Sequence, residues 1–157
     1  KRALDPWAFH QRTGKPLTSN LVVGKLAWLR QHEPEMFART ACVLDTGAFL
    51  IHRLIGNFAT SSASADPTGL FDMHHGCWDA AVLELLHLRE EQLPRIHSPG
   101  EPLGTVCEAA ARLTGLPRGL PVIAGLGDGQ ASALGAGIAS PGKASRSCMP
   151  TSPWTTW

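Results

Sequence analysis

The sequence predicts one α/β domain, and three observations point to it. Apolar residues recur at helical spacing in several separate segments. Short apolar or β-branched runs stand between those segments. The last such run, Pro121 to Ala124, leads into a glycine turn and then a helix-like stretch of small residues, the order strand, turn, helix of α/β proteins. With 157 residues, 43% of them hydrophobic, the chain can bury a core and is too apolar to be disordered.

The elements follow in order. Lys1 to Asn20 mixes Pro6, Gly14 and Pro16 with scattered charge and reads as an extended lead-in with turns. From Lys25, the spacing of Leu26, Trp28 and Leu29 predicts a short helix. Pro34 then suits the first turn of a second helix through Met36 and Phe37. Cys42-Val43-Leu44 reads as a brief strand. After it, Asp45 or Thr46 caps a helix whose pairs Leu50, Leu54 and Ile51, Ile55 recur at i,i+4 before Gly56 stops it. Thr60 to Pro67 is small and polar and reads as a loop with possible function, in which Asp66-Pro67-Thr68-Gly69 favours a turn into Leu70-Phe71. Trp78-Asp79 opens a helix burying Val82, Leu83 and Leu86, and Pro94, Pro99 and Pro102 mark a connecting stretch. Thr105 and Glu108 have capping-box spacing for a helix carrying Ala109, Ala110 and Leu113 and ending at Gly115. The final unit is the strand Pro121 to Ala124, the turn Gly125-Leu126-Gly127-Asp128-Gly129-Gln130, and a helix over Ala131 to Gly137.

Several function classes fall away. A formal net charge of +1 with interspersed signs gives no basic stripe for a nucleic-acid backbone. No apolar run is long enough to cross a bilayer, and Lys1 to Trp7 lacks a signal-peptide stretch, so a soluble, cytoplasmic protein is expected. Cys42, Cys77, Cys107 and Cys148 form no C-x-x-C pair and are expected to be ordinary buried thiols. His74, His75 and Cys77 lack a fourth ligand at a usual spacing, so a solvated turn is expected there and no metal site.

The chemistry concentrates at Asp128. Gly125-x-Gly127 invites a dinucleotide reading, but the third glycine of G-x-G-x-x-G falls on Gln130. No G-x-x-x-x-G-K-[ST] and no G-x-S-x-G occurs. A carboxylate at a strand's end between glycines can instead accept the proton of a substrate hydroxyl during phosphoryl transfer. The same residue could simply cap the helix that follows. The residues alone leave both roles open.

The run Gly125-Leu126-Gly127-Asp128-Gly129-Gln130-Ala131, with Ala133-Leu134-Gly135-Ala136-Gly137, resembles the Gly-Asp segment of the FGGY carbohydrate kinases. Lys25-Leu26-Ala27-Trp28-Leu29 with His32-Glu33-Pro34-Glu35 is similar to that family's K-L-x-W-L segment, and Arg12-Thr13-Gly14 precedes it. Asn57-Phe58-Ala59-Thr60, Leu70-Phe71-Asp72, Trp78-Asp79 and Gly115-Leu116-Pro117 fall in the family's order, so the resemblance runs from about Arg12 to Lys143. It is nearest in look to the xylulokinases. It implies part of the N-terminal, sugar-binding domain of a two-domain kinase with the actin-like ATPase (ribonuclease H-like) fold. It also implies ATP-dependent phosphorylation of a sugar or polyol, with Asp128 as general base, Asp128, Gly129 and Gln130 lining the sugar site, and ATP and Mg2+ as cofactors. No ATP-binding residue is carried over, and a homodimer is left open.

The sequence departs from the family at Asn20, Val22, Ser61 and Gly129, which bears on the sugar's identity. Ser61, Ser62 and Ser64 could bind a polyol or belong to a solvated turn. The family's D-x-G-T loop and second domain are not in this sequence, and residues 145–157 depart from the family's apolar strand and L-G-T loop. Domain residues 1–144 followed by a non-family tail from a shifted frame or truncated gene are therefore expected, with the piece catalytically silent alone. The alternative is a non-catalytic folded remnant that binds a sugar or partner; a dehydrogenase comes third.

Overall fold

The computed structural model describes residues 4–138, and the expected tail at 145–157 lies outside them, as does Cys148. The chain divides into two compact units, Lys1–Gly125 and Leu126–Trp157.

The first unit begins with a helix. Asp5 accepts from the backbone N–H groups of Trp7 (3.2 Å) and Ala8 (3.3 Å), Pro6 takes the first helical position, and α1 runs Pro6–Thr13. This corrects the extended lead-in: Pro at a helix's first position forfeits no hydrogen bond, so the residue that suggests a turn here starts a helix. The helix α2 (Val22–His32) and the short α3 (Pro34–Ala38) bend at Glu33 as expected. Cys42 to Leu44 forms no strand, although Val43 N–H donates to Gln92 O at 2.7 Å. Asp45 caps α4 (Thr46–Ile55) through Ala48 N–H, and Gly56 ends it.

The stretch expected to be a loop forms short regular elements and is mostly shielded from solvent. It comprises β1 (Ala59–Ser61), one turn of helix α5 (Ser62–Ala65) and a 3-10 turn (Asp66–Thr68). Thr60 and Ser61 are 2% and 1% exposed. Next come β2 (Phe71–Asp72) and β3 (Cys77–Trp78), an antiparallel pair whose connecting turn holds His74 and His75 in solvent. Asp79 then caps α6 (Ala80–Leu86), which buries Val82, Leu83 and Leu86 as expected.

The proline-marked stretch is corrected as well, because it contains two strands. One is β4 (Arg95–His97), parallel to β1 with Ala59 opposite Arg95 and Ser61 opposite His97. The other is β5 (Pro102–Thr105), antiparallel to β6 (Pro121–Ile123) with a register shift between Pro102 and Gly104. Proline is compatible with strand ends and with turns: Pro94 precedes β4, Pro99 stands in the turn after it, and Pro102 opens β5. The helix α7 (Glu108–Thr114) ends at Gly115 as expected, but no capping box forms: Cys107 is the N-cap, without a side-chain bond, and Thr105 is spent in β5. Leu113 is exposed at 76% rather than packed.

The larger core joins Phe9 of α1, Val23 and Leu26 of α2, Phe71 and Trp78 of the hairpin, and Val82 of α6. A smaller one gathers Ala59, Leu103 and Ala124 beneath Ile51 and Ile55 of α4. The cysteines are not buried thiols, since Cys42 and Cys107 are half-buried and Cys77 is exposed. The second unit contains the helix α8 (Asp128–Gly135), which buries none of its residues.

Candidate active site

The expected site is built at the start of α8. Gly127 is the N-cap in an extended conformation (φ −67°, ψ 159°), and Ala131 N–H donates to Gly127 O at 2.9 Å to close the first turn. Asp128 is therefore the first helical residue, with Gly127 in the N-cap position. Its side chain is exposed, with Oδ1 accepting the N–H of Gly129 at 2.7 Å. That short bond holds the carboxylate in one orientation at the helix's N-terminal end. Gly129 is exposed, no neighbouring atom lies within 4 Å of where its Cβ would stand, and Gln130 is half-buried. The three expected site residues are contiguous, so one helical turn brings them together.

The serines take a different part. Ser61 Oγ accepts from Ser64 N–H and donates to Ser64 Oγ, both at 3.0 Å, and so caps α5. With its oxygen committed and its surface buried, Ser61 is a structural residue here. Below it, Lys15 Nζ donates to Asp66 Oδ2 at 2.7 Å, while Thr60 Oγ1 and Asp66 Oδ1 are buried with no hydrogen-bond partner.

Polar contacts that sequence reasoning did not anticipate lie elsewhere in the first unit. Arg12 Nε donates to Asp79 Oδ2 at 2.7 Å, while Asp79 Oδ1 accepts from Ala81 and Val82 N–H, so one buried carboxylate ties α1 to α6. At the β2/β3 turn, Asp72 binds the His75 ring at 2.8 Å and the backbone N–H groups of His74 and His75. Burial by itself would raise the Asp72 carboxyl, but the hydrogen bonds from His75 and His74 and the His75 charge together hold it below the usual value. After β4, Glu101 accepts from Ser98 N–H at 2.9 Å and lies 3.5 Å from His97 Nδ1. The signal for that turn is present in Ser98-Pro99-Gly100-Glu101, a Pro-Gly pair followed by an acceptor. A cleft of about 1110 Å³ opens between α1, α2 and α6, lined by Ala8, Arg12, Ala27, Arg30, Glu84 and His87 among others; none of the expected site residues lines it.

The profile of the FGGY family of carbohydrate kinases, N-terminal domain, matches residues 1–135. The chain belongs to this family. An L-fuculokinase of Salmonella typhi is 34% identical over 137 residues, which are 87% of this chain and 29% of that protein. The structure of a xylulose kinase from Rhodospirillum rubrum superposes with a TM-score of 0.81 at 39% identity, covering 88% of this chain and 28% of that one. A Plasmodium falciparum glycerol kinase solved with ADP, at 22% identity and a TM-score of 0.75, shares the fold. This FGGY chain thus spans less than a third of the length of these relatives. Its mixed α/β fold is part of the N-terminal domain of the actin-like ATPase fold of the sugar kinases. Among the described residues, no helix is long and apolar enough to cross a membrane.

Proposed function

We propose that this chain is the later part of the N-terminal domain of a kinase that transfers the γ-phosphoryl group of ATP to a hydroxyl of a sugar or polyol. Domain residues 1–144 are followed in this reading by a tail foreign to the family. The observation that carries it is the exposed Asp128 carboxylate, oriented by Gly129 at the first turn of α8, in a chain whose family consists of carbohydrate kinases. The relatives named fuculokinase and xylulose kinase support a small monosaccharide of that kind, with the xylulose type favoured by the 39% identity of the structural match.

Asp128 accepts a hydrogen bond from the attacking hydroxyl and takes its proton as the oxygen bonds to the γ-phosphorus and the bond from that phosphorus to the leaving ADP oxygen breaks, after which the proton passes to solvent. Gly129 presents backbone without a side chain beside that carboxylate, which leaves room for a polyhydroxylated substrate, and Gln130 lines the same turn. ATP supplies the phosphoryl group when bound. Among the described residues, no three His, Cys, Asp or Glu side chains come together to hold a metal ion; Mg2+ would be held largely by the phosphates of bound ATP. A cytoplasmic location goes with the use of ATP.

Sugar-dependent ADP formation tests the reading, with xylulose, ribulose, gluconate, glycerol and erythritol offered to the complete kinase, its Asp128→Asn variant and this chain alone. The complete enzyme is expected to turn over one of these, and the variant to lose about a hundredfold to ten-thousandfold in kcat. This chain alone is expected to be silent. Full activity in Asp128→Asn would defeat the assignment. A second reading, that this chain acts as a non-catalytic binding piece, is favoured by the exposed Phe49, Leu50, Leu113 and Ile123. Binding of a sugar or protein by the chain in the absence of turnover by the complete protein would support it.

A further inference from the structure

The first turn of α8 packs on itself around Asp128. Gly127, its N-cap, has φ −67° and ψ 159°, a conformation open to any residue, so the backbone does not explain the glycine. Space explains it: a Cβ on Gly127 would collide with Gln130 Oε1 and would lie 3.5 Å from Gln130 Cδ. The carboxamide of Gln130 occupies the volume where a side chain of residue 127 would begin.

Gln130 is the third residue of α8 and half-buried. A glutamine at that position, reaching back over the N-cap residue, is one arm of a capping box. The other arm is missing, because glycine has no side-chain oxygen to offer the helix amides. Asp128 fills part of that gap, its Oδ1 accepting Gly129 N–H at 2.7 Å, while Ala131 N–H closes the turn on Gly127 O at 2.9 Å. Asp128 thus stands between two residues, Gly127 and Gln130, that are pressed together.

We infer that Gln130 is a positioning residue: its carboxamide, folded over the side-chain-free Gly127, fixes the peptide that carries Asp128 and so the direction in which that carboxylate leaves the helix. The kinase reading enters only in naming Asp128 as the general base. The packing of Gln130 on Gly127 stands without it. Because the end of a glutamine side chain swings aside easily, a methyl group at position 127 should displace the carboxamide and leave the turn folded. Gly127→Ala and Gln130→Ala should therefore act as one change.

Proton spectra of the 157-residue chain test the packing without any turnover. A nuclear Overhauser contact is expected between the Gln130 side-chain amide and Gly127 Hα. The Gly129 amide resonance is expected to move in Gln130→Ala, and to move in the same direction in Gly127→Ala. In the complete kinase, each variant should lower kcat about tenfold with the KM for sugar changed less than about twofold, the pattern of lost positioning. The double variant should be no slower than either single one. Gln130→Glu keeps an oxygen at the same reach and should recover most of kcat, and Gln130→Met, which keeps the stem without it, should repeat the alanine result. Absence of the Gln130 to Gly127 contact, additive losses in the double variant, or a raised KM with kcat preserved in Gln130→Ala would each overturn the inference. A complete protein without turnover would end the kinase reading, and the spectra would still decide the packing.

Discussion

Replacing Gly69 by alanine is expected to destabilise the first unit by about 3 kcal/mol. Two separable causes contribute. Gly69 has φ +74°, where a Cβ costs about 1 kcal/mol or slightly more. The added Cβ would also stand 3.1 Å from Leu21 Cδ1, 3.1 Å from Val23 Cγ1 and 3.2 Å from Phe9 Cζ. Phe9 and Val23 are 0% and 2% exposed, so neighbours inside the core must give by a few tenths of an ångström, and this overpacking adds about 1–3 kcal/mol. Gly56 provides the control, since its φ is +84° and no atom lies within 4 Å of its Cβ position. Gly56→Ala should therefore show the conformational cost alone. Urea unfolding followed by tryptophan fluorescence measures both variants. With a slope of about 1–3 kcal/mol/M, the Gly69 midpoint should lie about 1 M below that of Gly56→Ala. Coincident midpoints for the two variants would refute the packing argument.

Asp79→Ala removes the α6 cap and the buried partner of Arg12 and should cost about 2–4 kcal/mol by urea titration; Asp79→Asn, which keeps a cap acceptor, should cost clearly less. Asp72 has a folded-state pKa below its unfolded value, so its contribution to stability is present above the ordinary carboxylate range and is lost as pH falls through the folded value. Acid unfolding of Asp72→Asn should consequently lack part of the pH dependence seen in the parent below about pH 4. Although Cys77 is exposed, partial desolvation of its thiol first, and then the negative charges of Asp72, Glu90 and Asp79, raise it, so at pH 8 it should react with iodoacetamide more slowly than a free cysteine and gain rate toward pH 10, with modification followed by mass spectrometry.

Elements with local causes were legible in the sequence. The helix α4 is announced by Asp45, an i,i+4 apolar pattern and Gly56, all within twelve residues (45 to 56), and α6 is announced in the same way by Asp79. The strands β1 and β4 were not legible. Each is three residues long, too short to show alternation, and their register pairs residues 36 apart (95 minus 59). Thr105 and Glu108 carry a valid local signal for a capping box, which loses to the pairing of Thr105 with Pro121. The strand, glycine turn and helix around Asp128 could be read because each step is a neighbour in sequence. The hydrogen bond from Ala124 N–H to Glu101 O, at 2.8 Å, could not, because it is made by main-chain atoms that any residue possesses.

The parallel pairing of β1 with β4 has a consequence for the order of assembly. Between those strands the chain makes α5, the β2/β3 hairpin and α6, and this excursion contributes Phe71, Trp78 and Val82 to the larger core. Closing the β1/β4 ladder first would exact the entropy of a long loop in return for three residue pairs. Collapse of the excursion against α1 and α2 shortens that search, so the ladder is expected to be a late event that waits on the segments between its two strands.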